Sequence, residues 1–191
     1  MYTAIKTPRS RFAAFVSATG SAGTIAAGDY LRTKFPRLKV VASEALQCPT
    51  LLMNGFGAHR IEGIGDKHVP WIHNVRNTDA VTAIDDEQCM RLFRLFNERE
   101  GLKFLGRHGV PASLIERLSW LGISSIANIL SSIKAAKYFE WNEDDIIFTV
   151  ATDSAGLYRS RIKEQREQRG AYTPMQAACD FDACLLAATT D

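Results

Sequence analysis

The sequence predicts an α/β fold, a three-layer open and mostly parallel sheet with helices on both faces, and three observations carry that expectation. Two apolar runs, 12–18 and 146–151, lack strict alternation and have the composition of buried strands. Segments of helical period alternate with them. No internal repeat or low-complexity tract breaks the order. A chain of 191 residues with 46% hydrophobic content buries one substantial core and falls short of two full domains, so one domain over 1–191 is expected.

The first unit begins with Phe12-Ala13-Ala14-Phe15-Val16-Ser17-Ala18, read as a strand, followed by the small-residue turn Thr19-Gly20-Ser21-Ala22-Gly23-Thr24. Ile25, Gly28, Leu31 and Phe35 then fall on one face of a helix from Ile25 to Phe35 that Pro36 stops, and Leu38 to Ser43 reads as the next strand. A strand, helix and strand in this order favour a crossover between parallel strands. Gly55, Gly57, Gly63 and Gly65, with Pro49 and Pro70, predict an irregular ordered loop system from Cys48 to Val75. Asp85, Asp86 and Glu87 mark a helix start, with Met90, Phe93 and Phe96 or Asn97 at helical spacing. A further helix is expected from about Ser124 to Tyr138, and then Ile146 to Ala151 as a central strand. The polar turn Thr152-Asp153-Ser154 leads into a helix through Arg169, which Gly170 ends. Thr173 as cap and Pro174 at the first position begin a last helix that places Met175, Ala178, Phe181, Leu185 and Leu186 on one side.

Composition excludes several classes of function. With 23 basic against 21 acidic side chains the net charge is +2, which gives no general attraction to nucleic acid or to an anionic membrane. No apolar run approaches the ~18 residues of a membrane span. The start Met1-Tyr2-Thr3-Ala4-Ile5-Lys6 lacks a signal-peptide core, so a cytoplasmic location is expected. Cys48, Cys89, Cys179 and Cys184 form no C-x-x-C pair and are expected to be reduced and partly buried. Asp66, His68 and His73 have poor spacing for a metal, so no metal is expected.

The turn from Thr19 to Thr24 has the construction of a phosphate site. Glycines admit close backbone approach, backbone N–H groups meet the positive end of a helix dipole, and Thr19, Ser21 and Thr24 add hydroxyls. Small residues in such a turn also serve tight packing, and the sequence leaves both readings open. It is neither a Walker loop nor a dinucleotide fingerprint, because the P-loop lysine and the third glycine are missing.

Val16-Ser17-Ala18-Thr19-Gly20-Ser21-Ala22-Gly23-Thr24-Ile25 resembles the phosphate loop of the cysteine synthase and cystathionine β-synthase family of pyridoxal-phosphate enzymes of fold type II. Leu38 to Glu44 follows as the family's next strand does. In the same order, Glu62-Gly63-Ile64-Gly65-Asp66-Lys67-His68-Val69-Pro70 resembles its G-I-G segment and Leu121-Gly122-Ile123-Ser124-Ser125-Ile126-Ala127-Asn128 its G-I-S-S-G-A helix start. Phe148 to Ser154 resembles the strand that ends beside the pyridine nitrogen.

The resemblance implies pyridoxal 5'-phosphate as cofactor, with Gly20, Ser21, Ala22, Gly23 and Thr24 cradling its phosphate. Thr152, or Ser154 as the alternative, would meet the ring nitrogen. A neutral hydroxyl there leaves that nitrogen largely unprotonated and favours β-elimination or β-replacement of a small amino acid over transamination. Ala22 stands where the family usually has glycine, a change tolerable if its backbone does not need positive φ. Family enzymes hold the cofactor as a Schiff base on a lysine far upstream of the phosphate loop, and the chain reads as the large cofactor-binding domain without that lysine-bearing part. Lys6 faintly echoes the lysine motif and Lys67 lies in the G-I-G segment, but each reads as a solvated surface lysine. Two expectations follow: a part of a β-elimination or β-replacement enzyme that works with a separate lysine-bearing subunit or as a homo-oligomer, or a non-catalytic relative that binds a phosphate ligand or a partner.

Overall fold

A computed structural model describes residues 10–187, so Lys6 lies outside the described residues. Its centre is a four-stranded sheet of β1 (Arg11–Ala18), β2 (Lys39–Ala45), β3 (Ala80–Ile84) and β4 (Asp145–Thr149) in the order β3-β2-β1-β4. All three pairings are parallel, with Ala18 opposite Ser43, Val16 opposite Thr149 and Ala45 opposite Ile84. The helices are α1 (Ala27–Lys34), α2 (Thr50–Met53), α3 (Asp86–Asn97), α4 (Arg99–Arg107), α5 (Ala112–Ile115), α6 (Ile123–Tyr138), α7 (Arg159–Arg169) and α8 (Pro174–Phe181).

Successive residues of β1 serve opposite faces, as a strand requires. Phe15 joins Ile25, Leu38, Val40 and Ala42 on the α1 side, whereas Ala14 and Val16 join Val41 and Ala135 of α6 on the other. This gives the three layers expected. A larger helical core beside them holds Ile84, Met90, Phe93, Ile123, Ile126 and Leu130. Gly28 lets α1 lie close to the sheet, because a Cβ there would stand 2.9 Å from both γ-carbons of Val40.

Most elements fall where the sequence places them, and the exceptions have physical causes. The loop turn takes the first helical bonds, so α1 begins at Ala27 and not at Ile25. Its end residue Phe35 is 39% exposed. β4 is an edge strand and not a central one: among the described residues it pairs with β1 alone, and all five of its residues are half-buried. β3, α4 and α5 were not expected from the sequence. The loop system after Cys48 contains the short α2, and Asn54 closes it in the left-handed region.

Asp85 caps α3 by accepting from the Glu87 N–H at 3.0 Å, and Thr173 with Gln176 forms a capping box on α8. The buried face of α8 is the expected one only in part: Phe181 and Leu185 pack against the helical core. Met175 is 78% and Leu186 63% exposed, while Ala177, Asp180 and Cys184 are buried. Asp180 turns inward because Arg91 Nε and the Tyr172 hydroxyl donate to it at 2.6 and 2.8 Å, and a π-helical turn over Asp182–Leu186 shifts the following residues. Cys48, Cys89 and Cys184 are buried and Cys179 is exposed, all four as free thiols. Among the described residues no group of His, Cys, Asp or Glu is arranged for a metal ion, and no helix is long and apolar enough to cross a membrane.

The entry to α3 rests on a charged contact. The Arg60 guanidinium and backbone N–H both donate to Asp86, at 2.5 and 2.8 Å. Burial alone would raise the Asp86 pKa, but these hydrogen bonds hold it below the ordinary 3.8. A carboxyl depressed on folding adds stability above its unfolded pKa and loses it as pH falls through the folded value. Arg60→Ala should therefore cost about 1–3 kcal/mol at neutral pH. Denaturant titration at several pH values should show that deficit shrinking as the medium is acidified below about pH 4.

Candidate functional site

The turn after β1 is tied down at its entrance. The Thr19 N–H donates to the Ser43 carbonyl at 2.9 Å, and the Gly65 N–H donates to the Thr19 carbonyl at 2.6 Å. The G-I-G segment thereby lies against the turn, and a Cβ on Gly20 would sit 3.5 Å from the Gly63 carbonyl oxygen. From Gly20 to Ile25 no N–H donates to a backbone carbonyl among the described residues. The first helical bonds run from the Ala26 N–H to Ala22 and from the Ala27 N–H to Thr24, both at 3.1 Å. The result is a run of free donors at the positive end of α1, of the kind that attracts anions.

Ala22 takes φ +64° and is 2% exposed. The backbone here does need the left-handed region, so the alanine is strained where a glycine would not be, by about 1–2 kcal/mol. Gly23 differs from Gly28. A Cβ on Gly23 would meet nothing within 4 Å, so packing does not require glycine at that position.

At the inner end of the turn lies a recess of about 50 Å³ between the exits of β1 and β4. Thr24, Gly63, Ser124 and Thr152 all line it, so the four motif segments converge there. Ser17 and Asn128 also line it, and neither was expected there from the sequence. The Ser124 and Thr152 hydroxyls are 3.3 Å apart. Asn128 Nδ2 donates to the Val150 carbonyl at 3.0 Å, which fixes the amide, while its buried Oδ1 has no partner. Ser124 and Asn128 are four residues apart on α6, so helical spacing was the signal that would have grouped them.

Thr152, Asp153 and Ser154 separate in space. Thr152 is exposed at the recess. Asp153 accepts a hydrogen bond from the Tyr158 hydroxyl, and its other oxygen lies where a Cβ on Gly122 would have to be. Its carbonyl also accepts from the Gly122 N–H at 3.1 Å, which clamps the turn to the start of α6. Burial and the Asp153 carboxylate together push the Tyr158 phenol pKa up, so the phenol stays a donor. Ser154 lines a different cavity, beside Trp120 and Arg159. Among the described residues no lysine lines the recess, and Lys67 is exposed.

The donor set fits the phosphate and ring-nitrogen ends of pyridoxal phosphate. Free N–H groups and open space at Gly23 suit a dianion, and a hydroxyl at Thr152 suits a neutral ring nitrogen. The covalent lysine has no counterpart among the residues lining the recess.

The chain is 31% identical over 147 residues to cysteine synthase B of Campylobacter jejuni, a match to 76% of this chain and 42% of the relative. It is 29% identical over 150 residues to the O-acetylserine dependent cystathionine β-synthase of Bacillus subtilis, with 77% and 42% covered. Among solved structures, O-acetyl serine sulfhydrylase isoform 3 of Entamoeba histolytica matches with a TM-score of 0.68 and 27% identity over 92% of this chain and 46% of that one. Cysteine synthases of this kind depend on pyridoxal phosphate. No family model matches the chain. The chain spans about 42% of the length of the curated relatives it matches.

The strain at Ala22 yields a prediction. Ala22→Gly should alter stability by less than about 1 kcal/mol, because relief of the left-handed strain offsets the greater freedom of the unfolded chain. Ala22→Val puts a β-branched side chain at positive φ and should cost about 2–4 kcal/mol in chemical denaturation.

Proposed function

We propose that this chain, which is related by sequence and fold to the cysteine synthase and cystathionine β-synthase family, supplies the phosphate and ring-nitrogen sites of a pyridoxal-phosphate enzyme of amino-acid β-elimination or β-replacement. The observation that carries the reading is that Thr24, from the turn after β1, and Thr152, from the exit of β4, line one recess together with Gly63 and Ser124.

Each residue has a role that its position supports. The free N–H groups from Gly20 to Thr24 donate to the phosphate, with the Ser21 and Thr24 hydroxyls as further donors. Ala22 contributes its backbone alone, because its side chain is buried. The Thr152 hydroxyl donates to the ring nitrogen, and Ser124, 3.3 Å away, orients that hydroxyl. Thr152 is preferred to Ser154, which lines another cavity. Asp153 is held by Tyr158 and kept from the ring nitrogen, so no carboxylate stabilises a pyridinium. When bound, the cofactor supplies the electron sink for a carbanion at the α-carbon of a small amino acid. A recess of about 50 Å³ would take only part of such a ligand, and Thr152 in its lining is open to solvent.

The covalent lysine comes from outside the described residues, from other parts of the polypeptide or from a second subunit. Support for a covering partner comes from a groove of about 800 Å³ beside β3, where Leu46, Leu52, Met53 and Tyr138 are exposed. A cytoplasmic enzyme or a homo-oligomer is consistent with this reading. A second reading, a phosphate-binding relative without catalysis, is favoured by one observation: the described residues that line the recess include no lysine.

Absorbance of the purified chain with added pyridoxal phosphate, before and after borohydride, tests the proposal directly. Binding without a reducible lysine adduct is expected from these residues alone, and an adduct mapped to Lys67 would contradict the assignment. Gly23→Leu should abolish the thermal stabilisation given by phosphate or pyridoxal phosphate while leaving the unliganded melting temperature unchanged. Thr152→Val should weaken pyridoxal phosphate by roughly tenfold, the loss of about 1.4 kcal/mol, and leave inorganic phosphate binding as it was. Equal weakening of both ligands would move Thr152 off the ring.

A further inference from the structure

A second cavity, of about 590 Å³, lies behind the turn that carries Thr152, between α3, α7 and the segment before α6. That volume is in the range of small-molecule sites. Arg159, Lys163 and Arg166 of α7 line it, on one helical face, and no aspartate or glutamate does.

The pairing along α7 is uneven. Arg161 meets Glu62 at 2.6 Å, Arg166 meets Glu98 at 2.8 Å, and Arg169 meets Glu87 at 2.7 Å. Arg159 has no carboxylate partner among the described residues, and Lys163 has only Glu167 at 3.8 Å. The two least compensated cations of the helix are thus the ones that face the cavity with Arg166. Like charges gathered with incomplete counter-charge are a cost to the free protein that an anion relieves.

The rest of the lining is not that of a simple anion site. Trp120 stands in the wall with its indole 65% exposed, and the Arg117 guanidinium lies 5.8 Å from the ring centre. Phe93 and Ile162 add apolar surface, and Asn97 and Ser154 add polar groups. A flat ring stacks on such an exposed indole, and its polar edge pairs with amide and hydroxyl groups. We propose that this cavity binds a nucleoside phosphate, with the phosphate on Arg159 and Lys163 and the base against Trp120. The site shares no lining residue with the recess beside the Gly20 to Thr24 turn, and the segments 119–124 and 152–154 each reach from one to the other.

Titration of the full chain with AMP, ATP and inorganic pyrophosphate, followed by tryptophan fluorescence and melting temperature, tests this. AMP and ATP should bind saturably below about 1 mM, with pyrophosphate roughly tenfold weaker. The double variant Arg159→Glu, Lys163→Glu should keep the unliganded melting temperature, since both side chains are exposed, and weaken AMP at least about tenfold. Gly23→Leu should leave AMP binding unchanged. Absence of saturable binding, or unaltered affinity in the double variant, overturns the site. Loss of AMP binding in Gly23→Leu places the nucleotide on the glycine turn and also overturns it, and pyrophosphate as tight as AMP removes the base-binding part.

Discussion

The parallel pairing of β1 with both of its neighbours is the constraint on which the rest depends. Parallel strands leave the sheet in the same direction, so the turns after Ala18 and Thr149 must open at one edge. Register then sets which residues meet. Val16 stands opposite Thr149, whose hydroxyl donates to the Val16 carbonyl at 2.7 Å, and the following residues carry Thr152 to the side of Thr24. A slip of one residue would turn every β1 side chain to the other layer and take the two threonines apart.

Around that edge the protein holds polar groups in place with backbone contacts more than with charge. Thr19 is fixed by Ser43, Gly65 by Thr19, and the 152–154 turn by Gly122. The recess itself is lined by hydroxyls and one amide, with no ionised side chain. Its positive character comes from helix starts, α1 on one side and α6 on the other, whose dipoles do not titrate. Charged side chains work at a distance: Arg60 anchors α3, and the arginines of α7 tie it to carboxylates on other elements.

The strand, turn, helix and strand from Phe12 to Ser43 were legible because glycine, proline and a buried apolar period all mark the same boundaries. α6 and the cap of α8 were legible for similar reasons. β3 was not, because Ala80-Val81-Thr82-Ala83-Ile84 is short and, but for the buried Ile84, small and half-buried, with no glycine or proline beside it. The central position expected for β4 failed for a different reason: an apolar run signals a strand but not its neighbours. At the candidate site, types and order of residues singled out the turn and the 152–154 segment. They did not reveal that Asp153 is taken up by a tyrosine five residues later, or that Asn128 reaches the same recess from another helix. Such contacts join positions through the fold and leave no local pattern.

Gly23 and Gly28 are five residues apart and meet different packing constraints. Any side chain at Gly28 strikes Val40 and damages the protein as an object, whereas one at Gly23 strikes nothing. Quality control that recognises misfolded chains removes the first kind of variant and passes the second. A side chain placed at Gly23 therefore passes unseen among folded chains, a single codon change from the present sequence.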